Sequence, residues 1–352
     1  MSLTSSNAAA QQGPRPLPLF LALAQQVTAG DPARLDAVLA GLRAYQQAPR
    51  LPDPPRPPAI ARAGNASLLD YGGSGRPAIF VPSLINPPWI LDLAQDNSML
   101  RWLAQHDVHP LLVHWGEATA AEAAMSIDTL ILEQLLPLID SIGETASLVG
   151  YCLGGTMALG AAMHRPLRDL ILIAAPFRFG AFPAPARAEL ARLWAAARPA
   201  AEALGVLPME VLQSAFWTLD PERTVTKFEH FGRLSPESRQ AQDFVRLEDW
   251  ANSGPPLTAA AAQQLLQDFF LADTPGRGEW RLGGKRVDPA ARACPMLEIV
   301  STTDRIVPAA AASGAGDTLA LSLGHVGMVV GGQARTWLWQ PLSERLSQLH
   351  TS

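Results

Sequence analysis

Residues 146–162 read ASLVGYCLGGTMALGAA, and this stretch constrains the fold of the chain more than any other. An apolar run at 146–149 ends at Gly150. Cys152 follows two positions on, and Gly154 and Gly155 open a small-residue, helix-prone segment. The pattern predicts a strand, a sharp turn and a helix. A turn that tight holds its central residue at a strained backbone angle, so side chains two positions before and after it must be nearly absent. Gly150 and Gly154 meet that need. Cys152 would then stand at a helix N-terminus, where the macrodipole and free amides favour a thiolate and an oxyanion. A buried structural thiol is the ordinary fate of a free cysteine and needs no flanking glycines. Cys294, in ACPMLEI at the edge of an expected strand, fits that ordinary description.

At 352 residues the chain can bury a large core, and 48% hydrophobic with 17% charged residues is the balance of a soluble globular protein. A net charge of −5 without a basic block argues against a nucleic-acid partner. Two cysteines cannot build a disulfide framework, and a reactive one must stay reduced, which suits the cytoplasm. No apolar run approaches the roughly 18 residues of a membrane span. RPLPLFLALAQQ at 15–26 has some features of a signal peptide, but two prolines interrupt it. Leu19, Ala22, Leu23 and Gln26 have helical spacing, so an amphipathic helix is the preferred reading.

In chain order, residues 1–16 are expected to be disordered. Helices are expected at 17–28 and 32–46, the second capped by Asp31-Pro32 with Leu35, Val38, Leu39 and Leu42 on one face. A proline-rich connector, APRLPDPPRPPA, leads to strands at 67–71, 77–83 and 110–115, with Leu100 and Leu103 facing inward between the last two. A helix across 121–142, the strand of the cysteine turn and a strand at 169–176 follow. From 177 to 285 the pattern turns helical, then strands resume at 296–304 and 318–325 before a helix at 333–349. Strands alternating with helices predict an α/β protein with a mostly parallel doubly wound sheet. With the cysteine turn read as a nucleophile elbow, the fold class is the α/β-hydrolase fold with cysteine in place of serine. The expected organisation is a tail, helices and linker over 1–60, a core over 61–176 and 286–352, and a helical cap insertion over 177–285.

A thiol nucleophile needs a base, and the base needs an acid to fix its tautomer. In this fold the order is nucleophile, acid, histidine, with the last two on loops after the final strands. Asp304 ends the strand MLEIVSTT and His325 ends TLALSLG, so Cys152, Asp304 and His325 are the candidate triad. An oxyanion hole would combine the amide of Leu153 with one near Ser83-Leu84-Ile85, taken as Leu84. His106, His109 and His114 lie close in sequence, but Pro110 breaks any shared face and no carboxylate pattern accompanies them, so no metal site is expected.

With these residues in place the chain resembles the polyhydroxyalkanoate synthases, and among them the short catalytic subunits of the two-subunit class. The likeness rests on GYCLGGT, on LINPPWILDLAQDNSMLRWLAQHDVHPLLVHWG, on FVRLEDW, on FFLADTPGRGEWRLGGKRVD, on CPMLEIVSTTDRIVP and on GHVGMVVGG, in order across residues 65–345. Arg305 stands where family members usually carry histidine. The resemblance implies that Cys152 carries a growing acyl chain, that Asp304 and His325 complete the triad, and that Trp250 packs near the site. It implies a substrate of (R)-3-hydroxyacyl-CoA, with CoA as a substrate component rather than a cofactor, and a polyester product. It further implies a polymer-granule surface and either a homodimer or a helical partner subunit. A hydrolase with the same triad (thioesterase, esterase or intracellular depolymerase) is the alternative, and a non-catalytic granule-binding protein is a further one.

Overall fold

The computed structural model describes residues 13–348. The expectation of disorder over residues 1–16 falls, for 1–12, outside the described residues. The chain forms two compact units. Within the described residues, one comprises 13–53 together with Met209–Gly254, and the other comprises Pro54–Pro208 and 255–348.

The larger unit is built on one eight-stranded sheet. Its strands are β1 (Ala59–Ala63), β2 (Ala66–Asp70), β3 (Arg76–Val81), β4 (Val108–His114), β5 (Ser147–Tyr151), β6 (Leu170–Ile173), β7 (Met296–Ser301) and β8 (Asp317–Leu321), in the spatial order β1-β2-β4-β3-β5-β6-β7-β8. β1 and β2 pair antiparallel, as do β2 and β4, and all pairs from β4 to β8 are parallel. The central strands are apolar on both faces: Ala78 to Val81 and Leu170 to Ile173 are all buried, as strands covered by helices on each side must be. Leu100 and Leu103, in the helix Met99–Ala104, are fully buried, as their spacing predicts. β1 is the departure from the sequence reading. Its largely exposed residues extend straight from the proline-rich connector and pair with β2 around a turn at Gly64.

The smaller unit is helical: α1 (Leu17–Val27), α2 (Pro32–Gln47), α3 (Met209–Leu219), α4 (Pro221–Phe231) and α5 (Arg239–Ala251). α2 begins as predicted, with Asp31 accepting a hydrogen bond from the amide of Arg34 at 3.0 Å and Pro32 in the first turn. Its core joins Phe20 and Ala24 of α1 and Val38, Leu42 and Tyr45 of α2 to Trp217, Phe228, Phe231 and Val245. α1 buries Phe20 and Ala24, whereas Leu19 is 46% exposed, so the face read from the Leu19 spacing was one residue out. The domain reading also needs correction. Residues 177–285 are not one insertion: the helix Ala184–Leu204 and residues 255–285 belong to the sheet unit, and 209–254 joins the N-terminal helices. The cause is complementary burial, because the apolar stripes of α1 and α2 are covered by the aromatic-rich faces of α3, α4 and α5. Among the described residues no helix is long and apolar enough to cross a membrane.

Candidate active site

The cysteine turn forms as its glycines require. β5 ends at Tyr151, the helix Leu153–Ala162 starts at Leu153, and Cys152 between them has φ 56° and ψ −132°. That left-handed φ is strained for a side chain with a Cβ. The bend is held by the amide of Cys152 donating to Ile173 O at 2.9 Å and that of Gly155 donating to Cys152 O at 2.8 Å. A Cβ on Gly150 would lie 2.3 Å from Gly155 Cα, and one on Gly154 would lie 2.1 Å from Val81 O. The helix therefore starts in contact with the carboxyl end of β3, which only backbone can approach so closely. Cys152 is partly exposed, while Cys294 is buried and its thiol is pushed up by that burial.

Asp304 and His325 meet. His325 Nδ1 lies 2.6 Å from Asp304 Oδ2, with the aspartate side chain fully buried and that of the histidine 7% exposed. The other carboxylate oxygen accepts from the amides of Ile306 at 2.7 Å and Val307 at 3.0 Å, which fixes the acid against the turn that carries it. Burial alone pushes the His325 imidazole down. The negative charge of Cys152, the bond to Asp304 and a hydrogen bond with Cys152 outweigh it and raise the ring to about 10. Nδ1 is taken by Asp304, so Nε2 is the nitrogen left for the sulfur.

Of the two residues named for an oxyanion hole, Leu153 is the first residue of the helix and Leu84 is buried in the turn after β3. That turn is tightened by the Ile85 amide donating to Ser83 Oγ at 3.2 Å. Trp115 anchors it, its indole N–H donating to Pro82 O at 3.1 Å. Trp250 lies on α5 in the helical unit, where it is 7% exposed. The three histidines of the β4 region take separate partners: His106 Nδ1 lies 2.6 Å from Trp102 O, His109 Nε2 lies 2.7 Å from Asp70, and His114 Nδ1 accepts from the amide of Gly116. Among the described residues no cluster of three histidine, cysteine, aspartate or glutamate side chains could hold a metal ion.

Two residues of this region were missed from sequence. Tyr151 is buried, its ring stacked on that of His325 with centroids 5.1 Å apart and its hydroxyl donating to His325 O at 3.2 Å. Trp115 is the other. Both act across long sequence separations, and no local pattern marks them.

No protein-family model matches the chain. Poly(3-hydroxyalkanoate) polymerase subunits are similar to it. That of Haloferax mediterranei is 26% identical over 284 residues, covering 76% of this chain and 58% of its own length. That of Thiocystis violacea is 26% identical over 278 residues, covering 74% and 77%. That of Synechocystis is 24% identical over 299 residues, covering 77% and 78%. In sequence, the chain is similar to polyhydroxyalkanoate polymerases over about three quarters of its length. It spans 58% and 65% of the Haloferax mediterranei and Haloarcula marismortui relatives. Among solved structures, an epoxide hydrolase from Bacillus megaterium superposes with a TM-score of 0.50 at 15% identity, covering 80% of this chain and 98% of its own. A protein from Sulfolobus solfataricus described as a candidate lipase gives 0.52 at 16% identity, covering 80% and 89%. Such neighbours speak to the fold alone, and the fold is that of the α/β-hydrolases.

Proposed function

We propose that the chain is an acyltransferase of the polyhydroxyalkanoate synthase kind, polymerising (R)-3-hydroxyacyl-CoA through an acyl-cysteine intermediate on Cys152. The observation that supports it most is the linkage of an elbow cysteine to a buried histidine whose far nitrogen is held by a buried aspartate. His325 accepts the proton of Cys152, a transfer its raised proton affinity favours. The thiolate attacks the thioester carbonyl, and the oxyanion rests on the amides of Leu153 and Leu84. The tetrahedral intermediate collapses with cleavage of the carbon–sulfur bond to CoA, whose sulfur takes the proton from His325.

Acylation removes the negative charge that raised the imidazole, so His325 becomes a neutral base in the acyl-enzyme. It then accepts the proton of the 3-hydroxyl of a second unit. That oxygen attacks the acyl-cysteine carbonyl, forming the ester, and the sulfur leaves as thiolate with the proton retained on His325. Exchange of one thioester for another is nearly isoenergetic, so the cysteine loads and unloads without a deep trap. CoA enters as part of the substrate and no separate cofactor takes part. A growing polyester places the protein at a granule surface in the cytoplasm, either as a homodimer or with a helical partner subunit.

The test incubates the protein with (R)-3-hydroxybutyryl-CoA, follows thiol release and identifies the product by mass spectrometry beside Cys152→Ala. Oligomeric ester, with CoA release abolished in the variant, is the expected result. Free 3-hydroxybutyrate as sole product would make the protein a hydrolase. CoA release that survives Cys152→Ala rejects the cysteine mechanism.

A further inference from the structure

We propose that Tyr151 is a positioning residue for His325, so that the dipeptide Tyr151-Cys152 supplies both the sulfur and the support that aims the base at it. The inference rests on the reading of Cys152 and His325 as nucleophile and base. His325 follows β8 on a loop with Gly324 and Gly327 on either side, and a Cβ at either glycine would meet nothing within 4 Å. There is thus open space beside the loop at these two positions, and a catalytic ring on it needs restraint from elsewhere.

Asp304 holds the ring by one edge, at Nδ1. It leaves rotation about the Nδ1 to oxygen line and movement of the backbone unrestrained. Tyr151 supplies what is missing. Its ring lies over the imidazole with an interplanar angle of 27°, which restricts tilt, and its hydroxyl donates to the carbonyl of His325 itself, which restricts the backbone. Ser301 adds a second tie to the same loop by donating to Leu323 O. Tyr151 is the last residue of β5, paired with Ile173 of β6, so the support belongs to the sheet. Burial, with Cys152 and Asp304 adding to it, pushes the phenol far up, so the hydroxyl stays a donor throughout the working pH range.

The experiment compares wild type with Tyr151→Phe, using Tyr71→Phe as the control. Tyr71 is half-buried with its phenol likewise donating, to Asp92 at 3.0 Å, and has no part in the site. The ring-proton shifts of His325 are followed in an NMR titration, a readout that requires no substrate. In wild type the ring is expected to titrate at about 10. In Tyr151→Phe the midpoint should fall toward the ordinary histidine range of about 6.5, a roughly fivefold loss of proton affinity, the effect of one lost neutral hydrogen bond. Tyr71→Phe should follow wild type. If wild type titrates near 10 and Tyr151→Phe superposes on it, the role of Tyr151 is wrong while the Cys152–His325 pair stands. If wild type titrates only in the ordinary histidine range, the pairing and the role of Tyr151 fall together.

Discussion

A buried imidazole ordinarily gives up its proton more readily, and His325 is buried yet holds its proton more tightly. The reversal depends on Cys152, so Cys152→Ala should lower the His325 pKa well below about 10, read from the ring proton shifts in an NMR titration. The same shift predicts a stability effect with a definite sign. The folded-state value lies above the unfolded one near 6.5, so the imidazolium contributes fully below about pH 6.5 and its contribution is lost as pH rises through about 10. Urea unfolding of wild type should therefore weaken on the alkaline side more steeply than that of Cys152→Ala; parallel curves would rule the coupling out. Asp304→Asn tests the other side of the ring. The amide can turn a donor toward Nδ1 and hold the wrong tautomer, so CoA release should fall by roughly ten-thousandfold while circular dichroism is unchanged.

The elbow works as an element because three backbones meet there. Gly154→Ala puts a methyl 2.1 Å from Val81 O, and neither the helix nor β3 can yield without moving the other. A loss of about 1–3 kcal/mol in urea denaturation is expected, together with loss of CoA release, since the displaced parts carry Leu153 and lead to Leu84. A variant as stable and active as wild type would mean that the contact relaxes. This element was legible in sequence because its steric demand is local: the glycines on either side of Cys152 announce the turn. The inner strands were legible for a similar reason, Ile79-Phe80-Val81 and Leu170 to Ile173 being unbroken apolar runs. β1 was not, because Ala-Ile-Ala-Arg-Ala is small and mostly exposed and gains its order from pairing with β2. Asp304 and His325 were readable from their places after strands. Tyr151 was not, since its partner lies 174 residues away and the middle position of Gly-Tyr-Cys carries no steric signal.

At the scale of the molecule, the helical unit draws on two stretches separated by more than a hundred residues, each with an apolar face that only the other covers. α2 and α4 approach closely at Gly41 of α2, where a Cβ would lie 1.8 Å from Phe228 O of α4. Around it Phe20, Tyr45 and Phe228 pack edge to face, and Tyr45 donates to Asp249 at 2.6 Å, which is also paired with Arg50. With a core of its own, the unit should unfold as a separate cooperative step, so calorimetry should resolve more than one transition. Gly41→Ala forces α2 and α4 apart and should lower one of these transitions by roughly 10 °C while leaving the other in place. Gly154→Ala should do the converse. Because Cys152, Asp304, His325 and Tyr151 all belong to the sheet unit, His325 in Gly41→Ala should keep its raised titration at a temperature between the two transitions. If both transitions move together in either variant, the two units fold as one. If instead the raised titration disappears with the first transition, the proton affinity of His325 depends on the helical unit and the sheet unit alone does not set it.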